Sequence, residues 1–152
     1  MGLRIAPIVV LALIALVPTG AAPVMNHFVL TAYEHILYNN DPDPQPTQYS
    51  ITYVGGWCDA WDDDLTQTTA PDGSSWNDRI SSMRVWVSTC EVILYEHIKY
   101  NDDPNNPGGE TFVCSYVQNC QDLTQIDHPD GGTWNDRVSS FYAYDINSIP
   151  AP

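Results

Sequence analysis

Short stretches mixing apolar and polar residues recur along this chain, each bounded by clusters of Pro, Gly, Asn and Asp. Residues 29–36, 48–54 and 83–87 are rich in β-branched and aromatic side chains with partial alternation. So are residues 92–98, 111–117 and 141–144. Such runs predict strands, and the breakers between them exclude a helix of about ten residues anywhere after the N-terminal region. The pattern predicts an all-β fold in two four-stranded units.

The two units are copies. Trp76-Asn77-Asp78-Arg79-Ile80-Ser81-Ser82 returns 58 residues later as Trp134-Asn135-Asp136-Arg137-Val138-Ser139-Ser140. Upstream, Tyr33-Glu34-His35-Ile36-Leu37-Tyr38-Asn39 matches Tyr95-Glu96-His97-Ile98-Lys99-Tyr100-Asn101 at an offset of 62. Asp64-Leu65-Thr66-Gln67 and Pro71-Asp72-Gly73 recur as Asp122-Leu123-Thr124-Gln125 and Pro129-Asp130-Gly131. The fall from 62 to 58 places a four-residue insertion in the first copy, within residues 59–63. On that alignment Cys58 and Cys120 are equivalent. Copies of roughly 50 to 55 residues suit a solenoid turn, a propeller blade or a Greek key. Two are too few for a solenoid and suit one sandwich of two four-stranded antiparallel sheets.

The first residues stand apart. A basic start, Met1-Gly2-Leu3-Arg4, precedes an apolar run over 5–17 and the small residues Thr19, Gly20 and Ala21. This predicts a secretory signal peptide over 1–21. The thirteen-residue run is short against the ~20 needed to cross a bilayer, and no later segment is apolar enough to span. One domain over 27–146 follows, with Greek keys at about 28–88 and 91–145.

Loss of Arg4 leaves four basic against nineteen acidic residues, 4 − 19 = −15. That charge repels nucleic acid and anionic lipid and attracts cations. Five Trp, nine Tyr and three Phe argue for a packed body rather than the disorder common in acidic chains. Four cysteines in an exported chain imply two disulfides. Of the three pairings, the most local is Cys58–Cys90 with Cys114–Cys120.

The motifs now resemble the βγ-crystallin superfamily, specifically its microbial calcium-binding members. That family's Greek keys open on an aromatic-Glu pair with a second aromatic four residues beyond, as in Tyr33-Glu34 with Tyr38 and Tyr95-Glu96 with Tyr100. Its calcium signature runs Asn/Asp, Asn/Asp, two variable residues, Ser/Thr, Ser. Asn77 to Ser82 and Asn135 to Ser140 satisfy every position. Where the family usually has Gly two places after the second aromatic, this chain has Asn40 and Asp102, types that tolerate positive φ.

The resemblance implies two calcium ions held crosswise. Ser81 would serve the ion of the Asn135-Asp136-Arg137 turn, and Ser139 that of the Asn77-Asp78-Arg79 turn. Main-chain oxygens near Glu34 and Glu96 would complete the shells. Arg79 and Arg137 would contribute carbonyls, their side chains turned outward. Calcium takes six to eight oxygens in irregular geometry, and so few carboxylates predict an affinity of roughly 10⁻⁶ to 10⁻³ M.

His35 and His97 are read as partly exposed strand residues and Trp76 and Trp134 as core packing. No nucleophile elbow appears, the cysteines are taken up in disulfides, and no catalytic residue is assigned. The expected protein is a secreted, monomeric, calcium-binding module that is not an enzyme. The alternatives are a metalloproteinase inhibitor presenting loop 41–48 or 103–109, and a killer-toxin-like or cell-envelope-binding protein.

Overall fold

A computed structural model describes residues 27–39, 49–56, 58–118 and 120–148. The expected signal peptide, the loop 41–48 and Asn40 lie outside these. The strands are β1 (His27–Tyr33), β2 (Ser50–Gly55), β3 (Trp61–Asp62), β4 (Ser82–Val85), β5 (Cys90–Tyr95), β6 (Thr111–Ser115) and β7 (Ser140–Asp145). Among the described residues the longest helical segment is the turn Ile36–Asn39.

Two antiparallel sheets form, ordered β2-β1-β4 and β3-β7-β5-β6. In β5, Cys90, Val92 and Leu94 are buried while Glu91, Ile93 and Tyr95 are half-buried, as expected of a sheet with one packed face. Their partners on β7, Ala143 and Phe141, are buried with them. Leu65, Trp76, Ile80, Leu123, Trp134 and Val138 fill the same core. Both repeated tryptophans are only 1% exposed.

Each repeat lends chain to the other's sheet. β3, from the first repeat, pairs with β7 through Trp61↔Tyr142 and Asp62↔Phe141. Cys120, from the second, bridges Met83 of β4. The first sheet therefore has three strands and one bridge instead of the four strands expected. Cys114 and Cys120 are disulfide-bonded only six residues apart. Cys58 is bonded to Cys90, so the local pairing is the one formed.

The strand register corrects the repeat alignment. Leu30 faces Tyr53 and Val92 faces Cys114, so the offset is 92 − 30 = 62 on the first strands and 114 − 53 = 61 on the second. Cys120 faces Met83 as Asp62 faces Phe141, and both 120 − 62 and 141 − 83 are 58. Cys120 is thus equivalent to Asp62, not to Cys58. One residue of the length difference falls in the first hairpin loop and three fall before Asp62.

The chain reverses sharply after β1 and β5. Positive φ was expected at Asn40 and Asp102, but Asp102 has φ −105°. The left-handed residues come earlier, at Tyr38 (59°), Asn39 (61°), Lys99 (54°), Tyr100 (57°) and Asn101 (64°). Each costs roughly 1–2 kcal/mol. The Asn side chain explains the placement, because it bonds back across its own corner. Asn101 accepts the His97 N–H (2.8 Å) and donates to the Glu110 carbonyl (3.0 Å), as Asn39 does with His35 and Tyr49. Ser140 donates to the His97 carbonyl (2.6 Å) and accepts the Tyr100 N–H (3.1 Å), and Ser82 repeats this in the first corner. Four bonds at ~1 kcal/mol each, with Tyr95 and Tyr100 rings 5.3 Å apart, roughly offset three left-handed residues.

Asn101→Ala is therefore expected to cost about 2–3 kcal/mol, the sum of two lost bonds and a stiffer left-handed residue. Asn101→Gly, which relieves the backbone, should cost less. Urea unfolding of both variants checks the order, and equal losses would contradict it.

Candidate calcium site

The repeated Asn-Asp loops lead into β4 and β7 and meet between the sheets' ends. Asp78 and Asp136 have φ of 53° and 54°, which Asp tolerates better than most residues. This turns their N–H groups toward the opposite repeat. Asp78 donates to the Val138 carbonyl (3.2 Å) and Asp136 to the Ile80 carbonyl (3.3 Å). The side chains exchange as well. Ser81 Oγ donates to Asp136 Oδ1 at 3.2 Å and Ser139 Oγ to Asp78 Oδ1 at 3.4 Å.

The Asp-Leu-Thr-Gln repeat belongs to the same knot. Asp64 and Asp122 accept the N–H of Thr66 and Thr124 at 3.0 Å, closing a tight turn. The Leu between them is fully buried. Its N–H crosses over, from Leu65 to the Ser139 carbonyl (3.0 Å) and from Leu123 to the Ser81 carbonyl (2.9 Å).

Two cavities result. In the first, Glu34, His35 and Ser81 of the first repeat face Asn135 and Asp136 of the second. In the other, Glu96, His97 and Ser139 of the second face Asp78 of the first. Each combines the corner after a first strand, the Ser of the same repeat and the acidic loop of the opposite one. Ten residues were expected to supply the sites: Glu34, Asn77, Asp78, Arg79, Ser81, Glu96, Asn135, Asp136, Arg137 and Ser139. Their loops converge here.

The oxygen chemistry is lopsided. Asn77 and Asn135 donate their amide nitrogens to the neighbouring Asp78 and Asp136 (2.5 and 2.7 Å). Their buried Oδ1 atoms are left without a hydrogen-bond partner, at ~1–3 kcal/mol apiece. Burial pushes the Asp78 carboxyl above its ordinary pKa, with the Asp136 charge adding and bonds from Ser139 and Asn77 opposing. Asp136 is likewise raised by burial, with Glu34 adding and Ser81 and Asn135 opposing. Unpaired amide oxygens beside partly desolvated carboxylates, with no His or Cys in the loop strings, fit a hard cation such as calcium.

The arginine side chains do not turn outward. Arg79 pairs with Glu34 and grips both oxygens of Asp72 (3.0 Å each). Arg137 lies 3.3 Å from Glu96 Oε1 and donates to the Gly131 carbonyl at 3.1 Å. A half-buried carboxylate beside an acidic cavity needs a counter-charge, and the arginine four places before each strand's second residue supplies it. With both Glu side chains so engaged, their main-chain oxygens remain the natural contribution to a cation shell.

Other placements differ from expectation or were not foreseen. His35 and His97 sit in bends just beyond β1 and β5 and line the cavities, rather than lying in strands. Thr124 lines the first cavity; its repeated tetrapeptide marked it, but nothing in one sequence said that the turn reaches across. Ser82 and Ser140, last in the signature, serve the corners.

No family model matches the chain, and no curated protein matches it. Solved structures do. A βγ-crystallin domain from Flavobacterium johnsoniae is 21% identical over 80% of this chain and 99% of that one, with a TM-score of 0.47. A double mutant of a βγ-crystallin domain from Clostridium beijerinckii is 21% identical over 76% and 96%, TM-score 0.45. A structure concerning the evolution of the eye lens βγ-crystallin fold is 17% identical over 83% and 94%, TM-score 0.48. The family that the repeated motifs resemble is the one these structures come from. At such identities the likeness is one of fold alone.

Asp78 and Asp136 bind protons more tightly folded than unfolded. Without metal, their contribution favours the folded state at low pH and is lost as pH rises from 3.8 through their raised folded values. Replacing both by Asn is expected to flatten that decline relative to the parent protein, read as melting temperature across a pH series in chelator. An unchanged profile would contradict the reading of two partly desolvated carboxylates.

Proposed function

We propose that this protein is a secreted calcium-binding module in which two ions staple the repeats together. The observation that carries this is the pair of orphaned, buried amide oxygens, Asn77 Oδ1 and Asn135 Oδ1, beside the partly desolvated carboxylates of Asp78 and Asp136. Each is a polar arrangement that stays incomplete until a cation accepts the lone pairs. One ion would take Asn77, Asp78 and the Arg79 carbonyl with Ser139 and a main-chain oxygen near Glu96. The other would take Asn135, Asp136 and the Arg137 carbonyl with Ser81 and a main-chain oxygen near Glu34.

Because both ions need groups from both repeats, binding stabilises only the folded arrangement. At a hundredfold excess over the dissociation constant each ion would contribute ~2.7 kcal/mol. Secretion is supported by the leader-like start and two disulfides, and calcium is abundant outside cells. No described helix is long and apolar enough to cross a membrane.

Calorimetric titration of the mature protein is expected to show two calcium sites and a raised melting temperature. Ser81→Ala should weaken the site at Asn135 and Asp136, and Ser139→Ala the site at Asn77 and Asp78. Absence of heat and of thermal shift at millimolar calcium would overturn the reading. Weakening confined to the altered serine's own loop would overturn the crosswise assignment.

A further inference from the structure

The second repeat departs from the first at one buried position. Ala70 precedes Pro71-Asp72-Gly73, but His128 stands in the same place before Pro129-Asp130-Gly131. In the first repeat Arg79 takes both oxygens of Asp72. In the second, Arg137 keeps the equivalent pairing with Glu96 but takes the Gly131 carbonyl in place of the Asp130 carboxylate. It is also more exposed than Arg79, 35% against 19%. One ligand atom each from Glu96, His128 and Asp130 lie within 4.8 Å of one another.

His128 is only 3% exposed, and its Nε2 has no hydrogen-bond partner. That nitrogen faces Glu96 Oε1 at 3.5 Å, too far for a good hydrogen bond. It is, however, close to the spacing of two ligands on one tetrahedral zinc, about 3.4 Å for bonds of ~2.0–2.1 Å. We propose that Glu96, His128 and Asp130 form a separate site for a zinc-type divalent cation, found in the second repeat and not in the first.

A guanidinium supplies the positive charge beside these groups. Arg137 Nη1 lies 3.3 Å from Glu96 Oε1 and 3.4 Å from His128 Nδ1. The Asp130 N–H also points at Nδ1, at 3.2 Å, so the ring proton resides on Nε2. A cation entering at Nε2 moves that proton to Nδ1. The ring stays neutral, Nδ1 becomes a donor, the Asp130 amide turns away, and Arg137 swings to solvent. Three protein ligands leave a fourth position for water. The site uses side chains that the proposed calcium shells do not, so it stands apart from that reading.

The test is titration of the full mature chain with Co²⁺, a spectroscopic substitute for zinc, in excess calcium. One equivalent with the visible absorption of four-coordinate cobalt, displaced by Zn²⁺, is expected. His128→Ala, the residue the first repeat already carries there, should abolish it. Asp130→Asn should weaken it roughly tenfold or more. Arg137→Gln should strengthen it by removing the resident cation. The Asp130 amide resonance should shift with Zn²⁺ and not with calcium. A cooperative thermal melt like the parent's shows that a variant is folded; should His128→Ala fail this, the opposite signs of Asp130→Asn and Arg137→Gln decide. No cobalt absorption in the parent chain, equal uptake by folded His128→Ala, or weakening by Arg137→Gln would overturn the proposal.

Discussion

Asp78 gives its N–H to the second repeat while Asp136 gives its own to the first, and Ser81 and Ser139 return hydroxyls to the opposite carboxylates. On this reciprocal exchange the remaining structure depends. It fixes where β4 and β7 begin and docks each Asp-Leu turn on the other repeat. It also sets the two corner bends against the acidic loops. Neither repeat could keep these bonds alone, because every donor finds its acceptor across the midline. Duplication therefore produced two half-sites, each completed by its copy.

Such an arrangement concentrates unfavourable terms. Two carboxylates are partly desolvated, two amide oxygens lack partners, and each corner holds consecutive residues in the left-handed region. Strain of this kind persists where the surroundings over-determine it, and it clusters at binding sites. The corners are balanced internally by Asn39, Asn101, Ser82 and Ser140. The acidic loops are not. Arg79 and Arg137 neutralise Glu34 and Glu96, while Asp78 and Asp136 accept only the neutral donors Ser139, Ser81, Asn77 and Asn135. The core around Trp76 and Trp134 and the two disulfides supply the rigidity against which the loops are held.

Much of this was legible in the residues. The β-branched runs placed six of the seven strands among the described residues, and the repeated Asn-Asp-Arg string located the loops that meet. Local pairing of cysteines matched the disulfides. What escaped has physical reasons. β3 is two residues long and owes its pairing to β7, a partner some eighty residues away, so no local pattern could announce it. Equating Cys58 with Cys120 followed residue type, whereas register follows strand pairing and equates Cys120 with Asp62. The left-handed corner was assigned to the position where relatives carry Gly. In the second corner Asn101, one place earlier, takes that conformation instead, and its amide bonds across the turn. The inward path of Arg79 could not be foreseen, since it answers a counter-charge visible only once Glu34 and Asp72 are brought together.

The central claim is that each cation would be held by groups from both repeats. Anomalous diffraction from crystals of the mature protein grown with calcium tests it most directly. Two peaks are predicted, one between the Asn135-Asp136-Arg137 turn and Ser81, the other between the Asn77-Asp78-Arg79 turn and Ser139. Peaks coordinated within one repeat only, or no peak at either loop, would contradict the account.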